Sequence, residues 1–154
     1  MIDLGQVLTP DRVLLGLKAT SKRQVLQSLA QTAARVTGVD ATVILEALMQ
    51  RERLGTTGLG GGIAIPHARI RDLGSFTGFF ARLAKPVDFE AVDGAPVDLV
   101  FLLLAPEGAG ADHLKVLARV ARLLRDEDLC AELRASEDRA RVHALLCGRG
   151  EPAR

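Results

Sequence analysis

The sequence has no tryptophan and no tyrosine, and it contains only five phenylalanines and two cysteines. An aromatic content of 3% leaves few side chains on which bases can stack, which argues against a protein that binds single-stranded nucleic acid. Cys130 and Cys147 lie in no Cys-x-x-Cys motif, so they predict neither a zinc site nor a disulfide framework. We therefore expect a protein of a reducing compartment, with no metal and no cofactor.

Neither sign of charge dominates, and no hydrophobic run is long. The 20 basic and 19 acidic residues leave a net charge of +1, so the composition offers no basic face for nucleic acid. The longest apolar run, residues 99–105, is too short to span a membrane, and residues 1–5 do not begin a signal peptide. We expect a cytoplasmic protein without direct membrane insertion. Its length fits a single domain over residues 1–150, with a disordered tail at 151–154.

Hydrophobic periodicity predicts the α/β class: three layers, α/β/α, around a central mixed sheet. The expected order is one strand, two helices, three strands and three helices. The strands are predicted at 13–17, 63–65, 76–83 and 97–104, and the helices at 21–38, 40–52, 112–125, 126–134 and 136–147. The strand at 97–104 is nearly all apolar, so we expect it to be central and covered on both faces.

Local signals place the helix ends and the buried faces. Ser21 to Gln24 is typical of a capping box, Gly38 of a helix end, and Asp40 and Asp112 of N-caps. The inward residues of the second helix are predicted to be Val43, Ile44, Ala47 and Leu48. For the helix at 112–125, the predicted apolar stripe is Leu114, Leu117, Ala121 and Leu124.

Glycine is concentrated in one short segment, where it makes up five of the eight residues from Gly55 to Gly62. Without Cβ atoms, the backbone amides there can approach an anion closely. We therefore predict a phosphate-binding loop formed by Gly58, Gly60, Gly61 and Gly62. The segment has neither the Lys-Ser/Thr ending of a P-loop nor the following helix of a dinucleotide site, so a flexible connector is an open alternative.

Two histidines are candidates for chemistry on a phosphoryl group. His67 follows the glycine segment and Pro66, and an imidazole with one free nitrogen can attack phosphorus. Arg51 offers a guanidinium whose geometry matches phosphate oxygens, and His113 is expected in the first turn of a helix, where an anion is favoured. The residues alone also allow both histidines to be structural or surface groups, as we expect for His143.

The segment RERLGTTGLGGGIAIPH, residues 51–67, resembles the active-site segment of phosphotransferase-system enzyme IIA proteins of the fructose/mannitol type. The nitrogen-regulatory subgroup is the most similar, and the resemblance continues through PVDLVFLLLAPE and HLKVLARVARLLRD to cover roughly residues 8–147. It implies that His67 accepts a phosphoryl group through Nε2 from a histidine phosphocarrier protein. It also implies that His113 forms a hydrogen bond at that site, that Arg51 stabilises the phosphoryl group, and that the fold is layered as above.

The resemblance leaves several points open. The family commonly has glycine after the histidine, whereas this chain has Ala68, so that position is either not left-handed or strained. Because the 154 residues include no fused membrane component, we expect a regulator that signals to target proteins. A sugar-specific IIA component, a non-covalent anion-binding module and an interaction protein with a vestigial His67 are the alternatives.

Overall fold

A six-stranded mixed sheet with helices on both faces forms the centre of the protein in the computed structural model, which describes residues 3–150 and the side chains of residues 3–148. The helices are α1 Leu4–Val7, α2 Lys22–Thr37, α3 Ala41–Arg53, α4 Ala111–Leu123, α5 Glu127–Ala135 and α6 Arg139–Gly150. The strands are β1 Val13–Leu17, β2 Gly58–Gly60, β3 Ile63–Ala64, β4 His67–Ile70, β5 Thr77–Val87 and β6 Val97–Pro106. The tail predicted to be disordered lies outside the described residues.

The sheet is built around β6. Its strand order is β1-β5-β6-β3-β2, with β4 also paired to β6. Strand β5 pairs with β6 in antiparallel fashion, whereas β3 and β4 run parallel to it and β1 runs parallel to β5. These pairings confirm the predicted mixed sheet.

Among residues 3–150, no helix combines the length and the apolar character needed to cross a bilayer.

Strand β6 divides the core into two halves. Val100, Leu102 and Leu104 pack with the buried faces of α2 and α3, because side chains alternate between the two faces of a strand. Leu99, Phe101 and Leu103 pack on the other side with α1, α4, α5 and α6. Every residue from Leu99 to Ala105 is 0% exposed, which confirms the prediction that this strand is central and covered on both faces.

The predicted caps of the first long helices are largely confirmed. The Ser21 hydroxyl accepts from the Gln24 amide, Asp40 accepts from the Thr42 amide, and Gly38 ends α2 with a φ of 78°. The capping box at Ser21 is shifted, however. The Gln24 side-chain oxygen accepts at 2.8 Å from the amide and the hydroxyl of Thr20 instead of the Ser21 amide.

Helix α4 differs from its prediction at its start and in its buried face. Its N-cap is Gly110, and Asp112 lies inside the first turn, so the predicted Asp112 cap is wrong. The buried face comprises His113, Val116, Val120 and Leu123, whereas Leu114 is 65% exposed. The rest of the predicted stripe is confirmed: Leu124 is buried, and Leu117 and Ala121 are partly buried against the core. With His113 buried, the centre of the inward face lies one residue before the predicted one, which leaves Leu114 outside it. Val43 of α3 is likewise exposed, contrary to prediction.

Candidate active site

Three elements meet at a cleft of about 550 Å³. The C-terminal turn of α3 contributes Arg51, the start of β4 contributes His67, and the first turn of α4 contributes His113. Strand β4 begins opposite Leu103 of β6, and β6 leads within a few residues into α4, so the two histidines are brought together by the sheet. The structure therefore assembles the three predicted site residues.

Two hydrogen bonds orient the His67 ring. Its Nδ1 lies 2.8 Å from the Ile65 carbonyl oxygen, which can only accept, so Nδ1 carries the proton. The Nε2 lone pair then accepts from the Arg51 Nε–H at 3.1 Å. This tautomer leaves Nε2 as the basic nitrogen of the ring, the atom that a nucleophile needs.

In the His113 ring, Nδ1 is the acceptor and Nε2 carries the proton, the reverse of His67. The His113 ring is buried, and its Nδ1 accepts a 3.1 Å hydrogen bond from the Nε–H of Arg69. A neutral imidazole with Nδ1 as acceptor carries its proton on Nε2, and this buried Nε2 has no partner among the described residues. The ring centroids of His113 and His67 lie 5.6 Å apart, nearly edge to face. His113 thus has one unused N–H beside His67.

Burial favours the neutral form of both histidines. It is the main cause that lowers the pKa of His67, and Arg51 adds to the effect, while the hydrogen bond to Ile65 and the carboxylate of Glu52 oppose it. Burial also lowers the pKa of His113, with further contributions from His67 and Arg69. A neutral His67 has the lone pair needed to attack phosphorus, and a neutral His113 retains a donor.

The cleft arginines are not engaged by acids. Arg51 donates from Nη1 to the Gly55 carbonyl at 2.9 Å, and within residues 3–150 neither it nor Arg69 forms an ion pair. The next residue, Glu52, turns away to the Thr57 amide and to Lys22 at 2.7 Å. Two guanidinium groups beside neutral rings therefore remain able to bind an anion. No cluster of three His, Cys, Asp or Glu groups suited to a metal occurs among the described residues.

The structure does not bring the predicted glycines into this cleft. Gly58, Gly60, Gly61 and Gly62 lie in the β2–β3 hairpin, where the last three have positive φ values of 102°, 65° and 81°. The Gly58 amide donates to the Thr56 hydroxyl and the Gly61 amide to Asp93. A Cβ on Gly62 would lie 2.6 Å from Arg134. The positive φ values and the close approach to Arg134 explain why this turn contains glycine.

The Ala68 position is compatible with alanine. This residue lies within β4 opposite Leu104, and it is 7% exposed. Among the described non-glycine residues, only Asp72 and Glu90 have positive φ. Of the two alternatives considered for Ala68, the position is therefore not left-handed, and its backbone is not strained by the side chain.

Arg69 was missed by the sequence-based prediction. The predicted strand at 63–65 ends before Pro66, whereas β4 starts at His67 and runs to Ile70. In a strand, residues two apart project on the same side, so the spacing His67-x-Arg69 was the available signal. Both side chains line the cleft.

Comparison with known proteins identifies clear relatives. The family model for the phosphoenolpyruvate-dependent sugar phosphotransferase system, EIIA 2, matches residues 6–147. A nitrogen regulatory protein of Bradyrhizobium diazoefficiens is 56% identical over 143 residues, covering 93% of this chain and 94% of that protein. A fructose-specific EIIA component of Haloferax volcanii is 41% identical over 80% of this chain and 79% of its own length. The crystal structure of the nitrogen regulatory protein IIA-Ntr from Neisseria meningitidis superimposes with a TM-score of 0.89 at 35% identity, covering 93% and 98% of the two chains.

Proposed function

This chain belongs to the EIIA 2 family of the phosphoenolpyruvate-dependent sugar phosphotransferase system, and we propose that it accepts a phosphoryl group on Nε2 of His67 from a histidine phosphocarrier protein. We further propose that the phosphorylated and free forms are distinguished by regulatory target proteins. The family and its nitrogen regulatory members support phosphoryl transfer in a regulatory role. The histidine phosphocarrier as donor, the phosphohistidine at His67 and the signalling to target proteins are what we propose.

The observation that carries the proposal is the pair of hydrogen bonds on His67. The Ile65 carbonyl holds the Nδ1 proton, so the ring's lone pair lies on Nε2, where attack on the phosphorus atom of a phosphohistidine on the carrier replaces the hydrogen bond from Arg51. A bond forms between Nε2 and phosphorus, and the N–P bond of the carrier's phosphohistidine, protonated on its other ring nitrogen, breaks. The electron pair of that bond stays on the carrier's ring, which leaves as neutral imidazole, and the positive charge is now on the His67 ring. The proton on Nδ1 stays in place throughout the transfer.

The groups around His67 suit the charge that moves. As Nε2 binds phosphorus, the Nε–H of Arg51 loses its acceptor and becomes free to donate to a phosphoryl oxygen. The unpartnered Nε2–H of His113 offers a second donor. Since this reaction depends mainly on positioning and on stabilisation of charge, two such donors are a sufficient catalytic set.

Two exposed leucines favour a protein as the donor. Leu54 lines the cleft and is 85% exposed, and Leu114, the neighbour of His113 in α4, is 65% exposed. Apolar side chains beside a polar site are typical of the core of a protein interface. A phosphoryl group adds about −1.5 to −2 charges at this surface, which is a large enough change for a partner to distinguish the two forms.

The test is to incubate the protein with phosphoenolpyruvate, enzyme I and the histidine phosphocarrier, and to record its intact mass. We expect one acid-labile phosphoryl group in the wild-type protein and none in His67→Ala. His143→Ala is the matched control and should be phosphorylated normally, because His143 contacts the Leu8 carbonyl, away from the cleft. An unmodified wild-type protein beside a working carrier would refute the proposal, and phosphate bound non-covalently by both variants would favour an anion-binding module.

A second candidate is a sugar-specific role, in which the phosphoryl group passes on to a permease component. It is favoured by the similarity to the fructose-specific relative. The two roles separate in one assay: protein labelled on His67 is mixed with a fructose-type IIB component. Transfer as fast as from a genuine fructose IIA protein would support the sugar-specific role, and retention of the label would support the regulatory one.

A further inference from the structure

We propose that Arg69 is a positioning residue for His113: its Nε–H holds Nδ1 as an acceptor and thereby keeps the proton of His113 on Nε2, as a donor for the phosphoryl group on the neighbouring His67. This inference rests on the proposed function and adds to it a residue that the family resemblance did not supply. Its starting point is the 3.1 Å hydrogen bond from Arg69 Nε to His113 Nδ1.

The Arg69 side chain is anchored at two points. Its Nε–H binds His113, and its Nη2 lies 3.3 Å from the carbonyl oxygen of Gly110, the N-cap residue of α4. Strand β4 places this side chain two residues after His67, on the same side of the strand. The guanidinium therefore links the strand that carries the nucleophile to the helix turn that carries the second histidine.

The proton on His113 Nε2 needs such a contact. A neutral imidazole can carry its proton on either ring nitrogen, and no partner at the buried Nε2 holds the proton there. An arginine has donors and no acceptor, so a hydrogen bond from Arg69 to Nδ1 forbids that rearrangement. The unused Nε2–H is thereby retained for a phosphoryl oxygen.

The two cleft arginines then have different tasks. Arg51 donates to the lone pair of His67 that becomes the N–P bond, so its hydrogen bond must break during transfer. Arg69 donates to a nitrogen of His113 that takes no part in the reaction, so its hydrogen bond persists before and after transfer. Arg51 therefore binds the transferred phosphoryl group, whereas Arg69 maintains the tautomer of His113.

The experiment compares Arg69→Met and Arg69→Lys with Arg71→Met, a matched loss of an exposed arginine that does not line the cleft. The ring nitrogens of His113 are recorded by ¹⁵N NMR on the unphosphorylated proteins, and phosphoryl acceptance is timed separately. We expect Arg69→Met to move the His113 proton toward Nδ1 and to slow acceptance by about tenfold, as when a functional histidine loses its orienting partner. Arg69→Lys should restore the Nε2–H tautomer, because an ammonium also has donors only.

An unchanged His113 tautomer in Arg69→Met would overturn the inference, even if the variant melted at a lower temperature, because that combination describes a structural contact only. The same change of the His113 tautomer in Arg71→Met would overturn it too, because the change would then be a general effect of losing one positive charge. The NMR measurement needs no phosphorylation. Failure of the wild-type protein to accept a phosphoryl group therefore counts against the proposed function, and an unchanged tautomer counts against Arg69 itself.

Discussion

Arginine side chains serve two regions of this molecule in different ways. At the junction between α5 and the sheet, Arg82 donates to the carbonyl oxygens of Leu133, at 2.9 Å, and of Ser136, and it pairs with Glu137 at 2.7 Å. Arg134 pairs with Asp98 at 2.8 Å and donates to the Gly61 carbonyl. These guanidinium groups are bound by acceptors that stay in place, and they fix the helix to the strands.

In the cleft, Arg51 and Arg69 each direct Nε–H to a neutral imidazole nitrogen, and neither has a carboxylate partner among the described residues. A neutral imidazole is a weaker acceptor than a phosphoryl oxygen, so the contact to the reacting nitrogen can be exchanged. The comparison teaches that the partner of an arginine distinguishes the two roles more than its burial does. A structural guanidinium has carbonyl or carboxylate partners, whereas one that is available to a substrate has a neutral imidazole.

The largest expected effect tests the structural side of this comparison. Arg82 has a side chain only 11% exposed, and Arg82→Met removes the donor that satisfies the last carbonyl oxygens of α5. We expect a loss of about 3 kcal/mol in the free energy of unfolding, measured in urea, because two partly buried carbonyl oxygens lose a charged donor. Phosphoryl acceptance by the folded fraction should be unchanged.

Lys85→Met is the control for Arg82→Met, since Lys85 is an exposed cation on the same strand. It should alter stability by less than about 0.5 kcal/mol. A loss below about 1 kcal/mol in Arg82→Met, or a large loss of phosphoryl acceptance in its folded fraction, would break the distinction between the two regions.

The reciprocal change is Arg51→Met in the cleft. Its charge-assisted contact to the transferred group is worth about 1.5–3 kcal/mol, so phosphoryl acceptance should slow by roughly 10- to 100-fold in a stopped-time phosphorylation assay. Stability should fall by less than about 1 kcal/mol, since the side chain is only partly buried. Arg53→Met, an exposed position two residues along α3, should retain normal rates, and equal slowing of both variants would point to general electrostatics.

The third prediction concerns pH. Burial lowers the pKa of His67 and of His113 below the ordinary value of 6.5. Between the folded and unfolded pKa values the unfolded chain binds more protons, so stability rises with pH across that window and is lost as pH falls below 6.5. Phosphoryl acceptance should likewise persist somewhat below pH 6.5, since His67 is still neutral there.

The measurement is the free energy of unfolding in urea at a series of pH values between about 5 and 8. Removing the titrating rings should flatten the curve, so the double variant His67→Gln, His113→Gln is the comparison. If the free energy of unfolding depends on pH equally in both proteins, the prediction is contradicted, because folding then does not lower the pKa of these histidines.

The smallest expected effect is that of Ala68→Gly. Because Ala68 is not in a left-handed conformation, glycine relieves no strain and only adds freedom to the unfolded chain. We expect a loss of about 0.5–1 kcal/mol in the free energy of unfolding and no faster phosphorylation. Ala64→Gly on the neighbouring strand should have a similar cost, and a marked gain in acceptance rate for Ala68→Gly alone would show that alanine does restrain the site.

The sequence was sufficient where one local pattern decided the outcome. The apolar run at 97–104 predicted the central strand, and Ser21 and Asp40 predicted helix starts. The segment ending in Pro66-His67 predicted His67 as a candidate nucleophile, and the structure places its side chain in the cleft. In each case the signal lies within a few consecutive residues.

Prediction failed where the outcome depended on contacts distant in the chain. The buried face of α4 is selected by insertion of His113 into the cleft, which no count of apolar residues reveals. In the glycine segment, the Gly58 amide donates to Thr56 and the Gly61 amide donates to Asp93, 32 residues away. Arg69 meets His113 across 44 residues, so its contact is visible only in the fold.

The two imidazole lone pairs in the cleft, on Nε2 of His67 and Nδ1 of His113, are already occupied by arginine donors. A metal cation such as Zn²⁺, which coordinates histidine through those same lone pairs, would have to expel a guanidinium and then remain beside its positive charge. An anionic electrophile meets the opposite situation, because the displaced guanidinium turns to bind it. The two arginine hydrogen bonds of the cleft therefore favour an anionic ligand over a metal cation.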